Sequence, residues 1–282
     1  MEAVQGFAPL WSQRHLFQWN GACLDPPTYD SLVAYESPWI DALIGASCDP
    51  RPVNSYRDFQ TALAGLIDSD ASAPNESVTF LAHEATRRQF QVIVEQFAID
   101  GLTEALAFLA ILPRLPLRAQ MAVQRILLDE FGCGNIEMAH SQLYCDLLQE
   151  LGSPVVLEHF VALALDPVFE FVNVFHWMTK RAAHVEYFLG ALAWFEGVVP
   201  TLFAPYVSAC QRLKITAHHY YSEHVHIDVF HARSALMAIR ETARSQPFDY
   251  ARAWQGVRLA HATANQAFEA AIALARQDRS TA

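Results

Sequence analysis

Apolar residues recur at helical spacing along most of the chain beyond residue 77. Because a helix turns about 100° per residue, apolar residues three and four positions apart share one face. No alternation typical of strands and no internal repeat is found. The pattern therefore predicts an all-α bundle. Helices are predicted over 77–101 with an extension toward 112, and over 118–132, 136–152, 153–167, 174–214, 220–236 and 249–277.

The first 75 residues have a different composition. Stretches such as "CLDPPTYDSL", "SCDPRPVNSY" and "DSDASAPNES" are rich in Pro, Ser and Asp, which favour turns and helix caps. We therefore expect residues 1–75 to form an irregular cap of short helices. Residues 76–282 would form the helical bundle that carries the functional site, in one structural domain overall.

Composition and charge exclude several function classes. Hydrophobic residues make up 52% of the 282 residues, which indicates a filled core. The formal net charge of −11 disfavours binding to nucleic acid or to an anionic membrane surface. No apolar run reaches the ~18 uninterrupted residues of a membrane span. The five cysteines form no CxxC and no signal-peptide pattern precedes them, so we expect reduced thiols and a cytoplasmic protein.

The stretch "YYSEHVHIDVFHARSAL" (220–236) carries the most specific chemistry. On a helix His224, Asp228 and His231 stand at i, i+4 and i+7, which places them on one stripe, whereas His226 points away. Two imidazoles and a carboxylate on one stripe suit a metal site. Hydrogen bonding between Asp and His on a helix face would be an alternative.

Further candidate ligands are acids and a histidine in apolar surroundings: Glu95, Glu130, His140 and Glu196. Glu196, in "ALAWFEGVVP", is the only charge between Glu186 and Lys214, and an ionised carboxylate buried there needs a partner. The other three have structural readings as well: a surface position for Glu95, a helix end for Glu130 and a hydrogen-bonded core histidine for His140. Glu130 and His140 would be about 15 Å apart on a straight helix, so they share a site only if "GCGN" breaks it.

The pattern "DEFGCGNIEMAH", followed by a lone Glu in an apolar helix and then by "HVHIDVFH", resembles the heme-oxygenase-like diiron oxidases and oxygenases, over roughly residues 80 to 240. The resemblance implies a heme-oxygenase-like helical bundle that binds no haem. The metal ligands that it implies are Glu130, His140, Glu196, His224, Asp228 and His231. Some members, notably amine N-oxygenases, have one more carboxylate on the preceding helix. Glu95 is our candidate for it and Glu104 the reserve.

The resemblance implies an enzyme that holds two Fe²⁺ ions and uses O2 as co-substrate. N-oxygenation of a small amine or amino-acid-derived substrate, in specialised-metabolite biosynthesis, is the favoured interpretation. Oxidative decarboxylation, C–C cleavage or desaturation of a fatty or amino acid is the alternative. The sequence carries no nicotinamide or flavin fingerprint, so the electron donor stays unidentified, and a homodimer is possible.

Two other interpretations are compatible with the sequence. A ferritin-like diiron protein needs two E-x-x-H motifs, which Glu137 with His140 and Glu223 with His226 would provide, together with Glu95 and Glu196. A non-catalytic helical binding protein would bind no metal. Aromatic residues that would line a substrate pocket or belong to the ordinary core are Tyr144, Trp194, Phe195, Tyr220, Tyr221 and Phe230. Arg125, Arg212 or Arg233 would be available to a substrate carboxylate.

Overall fold

A computed structural model describes residues 12–278, and within this range the chain is helical with no strand. The all-α prediction is therefore confirmed. The twelve α-helices of this range are α1 (Gln13–Asn20), α2 (Pro26–Ala46), α3 (Tyr56–Ser72), α4 (Glu76–Thr79), α5 (Arg87–Gly101), α6 (Leu117–Glu130), α7 (His140–Leu151), α8 (Leu157–Leu163), α9 (Asp166–Lys180), α10 (Glu186–Leu213), α11 (His219–Ser245) and α12 (Tyr250–Gln277). Short non-α turns lie at Phe80–Glu84, Glu104–Ala107, Leu109–Arg114, Gly132–Gly134 and Ile136–Met138.

Helix α10 is the centre of the bundle and packs most extensively against α11 and α12. Two glycines permit a very close approach of α10 to α12. A Cβ at Gly190 would stand 1.8 Å from the carbonyl oxygen of Ala253, and a Cβ at Gly256 would stand 1.9 Å from that of Tyr187. Only glycine fits at either position, so this crossing fixes the depth at which α10 sits in the core.

The composition of α10 follows from its central position. With 28 residues, this helix is long and apolar enough to cross a membrane. The sequence analysis did not predict this, because no uninterrupted apolar run was found. However, 56% of its most apolar window is buried inside the protein, and Glu196 lies in the middle of the helix. Burial within the bundle accounts for this apolar composition.

Several predicted helix boundaries were wrong. The helix predicted over 174–214 is two helices, because α9 ends at Lys180 and α10 begins at Glu186. The extension toward residue 112 is a pair of 3-10 turns beyond Gly101. In the N-terminal cap, α2 has 21 residues and α3 has 17, so these helices are longer than predicted. Residues 1–11 of the predicted cap lie outside the described range.

The segment "GCGN" separates α6 from α7 by a tight turn. Gly132, Cys133 and Gly134 have φ values of 60°, 52° and 87°, all in the left-handed region. A Cβ at Gly132 would stand 2.6 Å from the backbone nitrogen of Ala139. This position therefore requires glycine both for its positive φ and for this close approach. The turn brings Glu130, at the end of α6, next to His140, at the start of α7.

Candidate metal centre

Acidic and imidazole side chains from five elements meet inside the bundle. The 3-10 turn after α5 contributes Glu104, while α6 and α7 contribute Glu130 and His140. Helix α10 contributes Glu196, and α11 contributes the stripe predicted from the sequence: His224, Asp228 and His231. Potential ligand atoms form two groups that share Glu130, and within each group they lie within 4.8 Å of one another. The groups are Glu104, Glu130, His140 and His224, and Glu130, Asp228 and His231.

In the first group the two imidazoles face each other. His140 Nδ1 lies 3.0 Å from His224 Nε2, and His224 Nε2 lies 3.2 Å from Glu104 Oε1. His140 Nδ1 is also 2.7 Å from Glu130 Oε2. Two nitrogens and two carboxylates that point at one small volume form a donor set suited to a divalent transition metal.

The second group surrounds His231. Its Nδ1 lies 3.1 Å from Asp228 Oδ1 and 3.5 Å from Glu130 Oε1. Glu196, on the neighbouring helix, places Oε2 at 3.3 Å from the same nitrogen. Since Glu130 directs one oxygen toward each group, it stands where a carboxylate that bridges two cations would stand.

Four buried atoms of these groups have no hydrogen-bond partner among the described residues: Glu104 Oε2, Glu130 Oε2, Asp228 Oδ1 and His231 Nδ1. Glu130 Oε2 and His231 Nδ1 have close neighbours, but without the geometry of a hydrogen bond. Buried polar atoms in native proteins are normally satisfied. A cation at the focus of each group would satisfy all four, so the residues fit bound metal.

Contacts outside the two groups orient two of the imidazoles. Nδ1 of His224 lies 2.7 Å from the carbonyl oxygen of Tyr220, to which it donates its proton, and Nε2 is left free to bind a metal. For His231 the arrangement is reversed. Its Nε2 lies 3.2 Å from Asp129 Oδ2, which leaves Nδ1 free toward the acidic group. The sequence analysis did not select Asp129, although its position next to Glu130 was a usable signal.

The raised pKa values of three side chains in the centre indicate that positive charge is missing there. Burial raises the pKa of Glu196 to about 8. Burial opposes protonation of His224, but Glu104 outweighs it and raises the pKa of the imidazole to about 10. His231 is likewise buried, and Asp228 and Glu196 nevertheless raise its pKa to about 11. Four carboxylates and three neutral imidazoles carry four negative charges, which two divalent cations would cancel.

The structure does not bring Glu95, the candidate for the extra carboxylate, into either ligand group. Glu95 accepts hydrogen bonds from Gln91 at 2.9 Å and from Ser153 at 2.8 Å, and Arg88 Nη1 lies 3.9 Å from it. Its carboxylate is thus satisfied away from both ligand groups. The reserve candidate, Glu104, lies in the first group instead. The 3-10 turn after α5 changes the helical phase, and this phase change directs Glu104 inward.

The ferritin-like ligand set is not assembled. Glu137 and His226 are exposed, and Glu223 pairs with His219 on the surface of α11 at 3.7 Å. Of that set only His140 and Glu196 reach the centre, and both belong equally to the preferred ligand set.

An apolar cavity of about 140 Å³ adjoins the first group. Tyr220 and Phe203 line this cavity and also contact the ring of His224, with centroids 4.6 and 5.2 Å away. Asp100, one helical turn before Glu104, lines the same cavity and was missed from the sequence. Burial, followed by the charge of Glu104, raises the pKa of Asp100 to about 8.

Four of the six predicted pocket aromatics line this cavity: Tyr144, Phe195, Tyr220 and Tyr221. Trp194 is buried elsewhere in the core and Phe230 is exposed. None of the three candidate arginines lines the cavity. Arg212, for example, donates to the carbonyl oxygens of Ala82 and Ala85.

Comparison with known proteins agrees with this geometry. Residues 91–264, more than half of the chain, match the model of a protein family described as iron-containing redox enzyme. The matched range contains the six residues of the two groups and also Glu196. No curated protein matches the chain.

Proposed function

The chain belongs to the iron-containing redox enzyme family, and we propose that it is a non-haem diiron oxygenase that inserts oxygen into a small amine. Membership of the family makes it an oxidoreductase that uses iron. The observation that carries the diiron proposal is the pair of ligand groups that share Glu130. One bridging carboxylate between two nitrogen-containing groups is the arrangement that two-metal sites use.

The residues have separate roles in this proposal. Glu104, His140 and His224 would hold one ion, Asp228, His231 and Glu196 the other, and Glu130 both. Two ferrous ions would supply the two electrons that reduce O2, so that one oxygen atom enters the N–H bond and the other leaves as water with two protons. An external reductant, which is not identified, would restore the ferrous state.

The surroundings of the centre keep bulk water away. Its seven ligand candidates are buried or nearly so, and aromatic rings cover the side that faces the cavity. Among residues 12–278 no lysine or arginine lines this cavity, so these residues offer no cationic partner to a substrate carboxylate. This favours N-oxygenation over the second candidate, oxidative decarboxylation or C–C cleavage of an apolar acid.

Anaerobic loading with ferrous salt tests the metal assignment. We expect two irons per chain in the wild type and one per chain in His231→Ala. The control variant Glu95→Gln changes a partly buried carboxylate outside the groups and should still bind two irons. A chain that takes up no iron would overturn the proposal and favour the non-catalytic helical binding protein. Iron retained at two per chain after His231→Ala would overturn the ligand set.

Exposure of the loaded chain to O2 tests the reaction. With a panel of amines, amino acids and fatty acids, we expect only the amines to give products about 16 mass units heavier than the substrate, because one oxygen atom is inserted. If only C–C cleavage products form, N-oxygenation is wrong. The cytoplasmic location, the absence of nucleic-acid and membrane partners and the possible homodimer stay predictions from the sequence.

A further inference from the structure

Asp100 is an acid whose side chain has no hydrogen-bond partner among the described residues, and His224 attracts it only when the imidazole is protonated. The side chains that form hydrogen bonds or salt bridges within residues 12–278 do not include it. Protein surrounds it, yet it remains partly accessible because it faces the cavity. The second acid on the cavity wall, Asp70, differs in this respect, since His261 Nε2 lies 3.1 Å from its carboxylate.

The charges of the neighbouring metal centre do not neutralise Asp100. If two ferrous ions bind as proposed above, the four carboxylates of the centre already cancel their charge. When Asp100 is ionised, it then adds one excess negative charge beside an apolar space. Burying a carboxylate without a partner is costly, so the site favours a ligand that brings a positive charge.

The walls of the cavity suit the rest of such a ligand. Rings from α5, α9, α10, α11 and α12 surround it: Phe97, Phe171, Phe195, Phe203, Tyr206, Tyr220, Tyr221 and Phe268. Aromatic faces attract alkylammonium groups, and aromatic rings also pack against apolar carbon. A volume of about 140 Å³ is close to that of an engineered cavity of roughly 150 Å³ that holds benzene, so the ligand is small.

We propose that this cavity binds the substrate as a small primary ammonium with an apolar body, and that Asp100 is the residue that pairs with the ammonium group. The proposal rests on the diiron function proposed above, because the charge argument counts two bound ferrous ions. In this arrangement the nitrogen of the ligand points toward Glu104 and His224, and its carbon body lies toward Phe195 and Phe268. Asp100 is thus a specificity-determining residue that selects amines over alcohols and acids of the same length.

Equilibrium binding of three ligands of equal chain length tests the proposal without any turnover. Hexylamine, 1-hexanol and hexanoate are titrated by calorimetry into the full chain, loaded anaerobically with ferrous iron and, in parallel, metal-free. We expect hexylamine to bind tightest to the wild type and hexanoate weakest. In Asp100→Asn the affinity for hexylamine falls roughly tenfold to a hundredfold, as for loss of a charged hydrogen bond, and that for 1-hexanol stays unchanged.

Asp70→Asn is the matched control, because it removes the other acid of the same cavity. We expect it to leave the affinity for hexylamine unchanged. Asp100→Ala provides a second variant without the carboxylate, and thermal unfolding verifies that both Asp100 variants fold. Hexanoate binding as tightly as hexylamine, or an amine affinity that depends on Asp70 instead of Asp100, would overturn the proposal.

The same samples separate this proposal from the diiron function. Iron is counted in each sample before the titration. Iron bound at two per chain without amine selectivity refutes the role of Asp100 and leaves the diiron function standing. Amine selectivity that depends on Asp100 in a chain that takes up no iron refutes the diiron function and retains the cavity as an ammonium site.

Discussion

His231 Nε2 lies 3.2 Å from Asp129 Oδ2, while the other nitrogen of the same ring faces the buried carboxylates of Asp228 and Glu196. Asp129 is partly exposed, with 39% of its side chain accessible, so it reaches the ring from the surface side of the centre. The relationship fixes which nitrogen of His231 is free for a metal. We therefore expect Asp129 to affect metal binding although it does not belong to either ligand group.

Replacing Asp129 by alanine tests this role. Without its acceptor, His231 is free to rotate or to change tautomer, and we expect metal affinity of the second group to fall roughly 10–100-fold. Ferrous titration of the metal-free chain measures it. The exposed acid Glu137 provides the control variant Glu137→Ala, which should bind iron like the wild type. Equal affinities in Asp129→Ala and the wild type would show that Asp129 does not orient the ring.

The stripe on α11 could be predicted from the sequence because it needs only the period of one helix. His224, Asp228 and His231 are all buried and face inward, as their spacing requires. The choice between Glu95 and Glu104 could not be made in this way. Glu95 lies inside α5, where helical phase is predictable, but its partners Gln91 and Ser153 are set by tertiary packing.

Glu104, which was only the reserve candidate, and Asp100, which was missed, lie where the helical period of α5 does not predict the direction of a side chain. Glu104 begins a 3-10 turn, whose different phase cannot be extrapolated from α5. In the sequence Asp100 resembles any polar residue near a helix end, and only the tertiary arrangement of the helices reveals the cavity that it faces. By contrast, the two glycines of "GCGN" correctly indicated that the helix breaks there, and this break lets Glu130 and His140 lie next to each other.

The turn at Gly132 gives a prediction about stability. In Gly132→Ala a methyl group would meet the backbone of Met138 and Ala139 at 2.6 Å, in a left-handed conformation that alanine already disfavours. We expect a loss of roughly 2 kcal/mol or more in the free energy of unfolding, measured with denaturant, together with weaker iron binding.

Gly134→Ala isolates the steric part of this effect. Gly134 also has a positive φ, of 87°, but an added Cβ would meet no atom within 4 Å. It should therefore cost only the conformational penalty of about 1–2 kcal/mol. If both variants lose the same stability, the close approach of Gly132 to residues 138 and 139 contributes nothing.

Metal binding should strengthen as the pH rises. The raised pKa values of His224 and His231, about 10 and about 11, mean that both rings are protonated at neutral pH when no metal is bound. A metal binds only the deprotonated nitrogen, so each ion must displace protons. We expect ferrous affinity to increase about tenfold per pH unit for each proton displaced, between pH 6 and 8.

Anaerobic titrations in two buffers of different ionisation enthalpy measure the number of protons released. His224→Ala should release fewer protons per iron than the wild type. The exposed imidazole of His226 provides the control, because His226→Ala keeps both ligand groups and should release the same number. Iron affinity that does not change with pH would contradict the charge compensation described for the centre.

His176 gives a prediction that does not involve the metal centre. Burial, with a smaller contribution from Lys180 and Arg181, lowers the pKa of this histidine to about 3, and its Nδ1 has no hydrogen-bond partner among the described residues. In the unfolded chain the imidazole takes up a proton below about pH 6.5, whereas in the folded chain it does so only near pH 3. Acid therefore favours the unfolded state across this window.

We expect this one group to lower the free energy of unfolding by about 1.4 kcal/mol per pH unit as the pH falls from about 6 toward 4. The ring of His176 packs near Phe17. His176→Phe should remove the slope, because a phenylalanine ring can take the same place but cannot be protonated. Denaturant unfolding of the metal-free chain at several pH values measures the difference between variant and wild type. The exposed His226→Ala variant should retain the wild-type slope, and an unchanged slope in His176→Phe would show that His176 takes up its proton in the folded state.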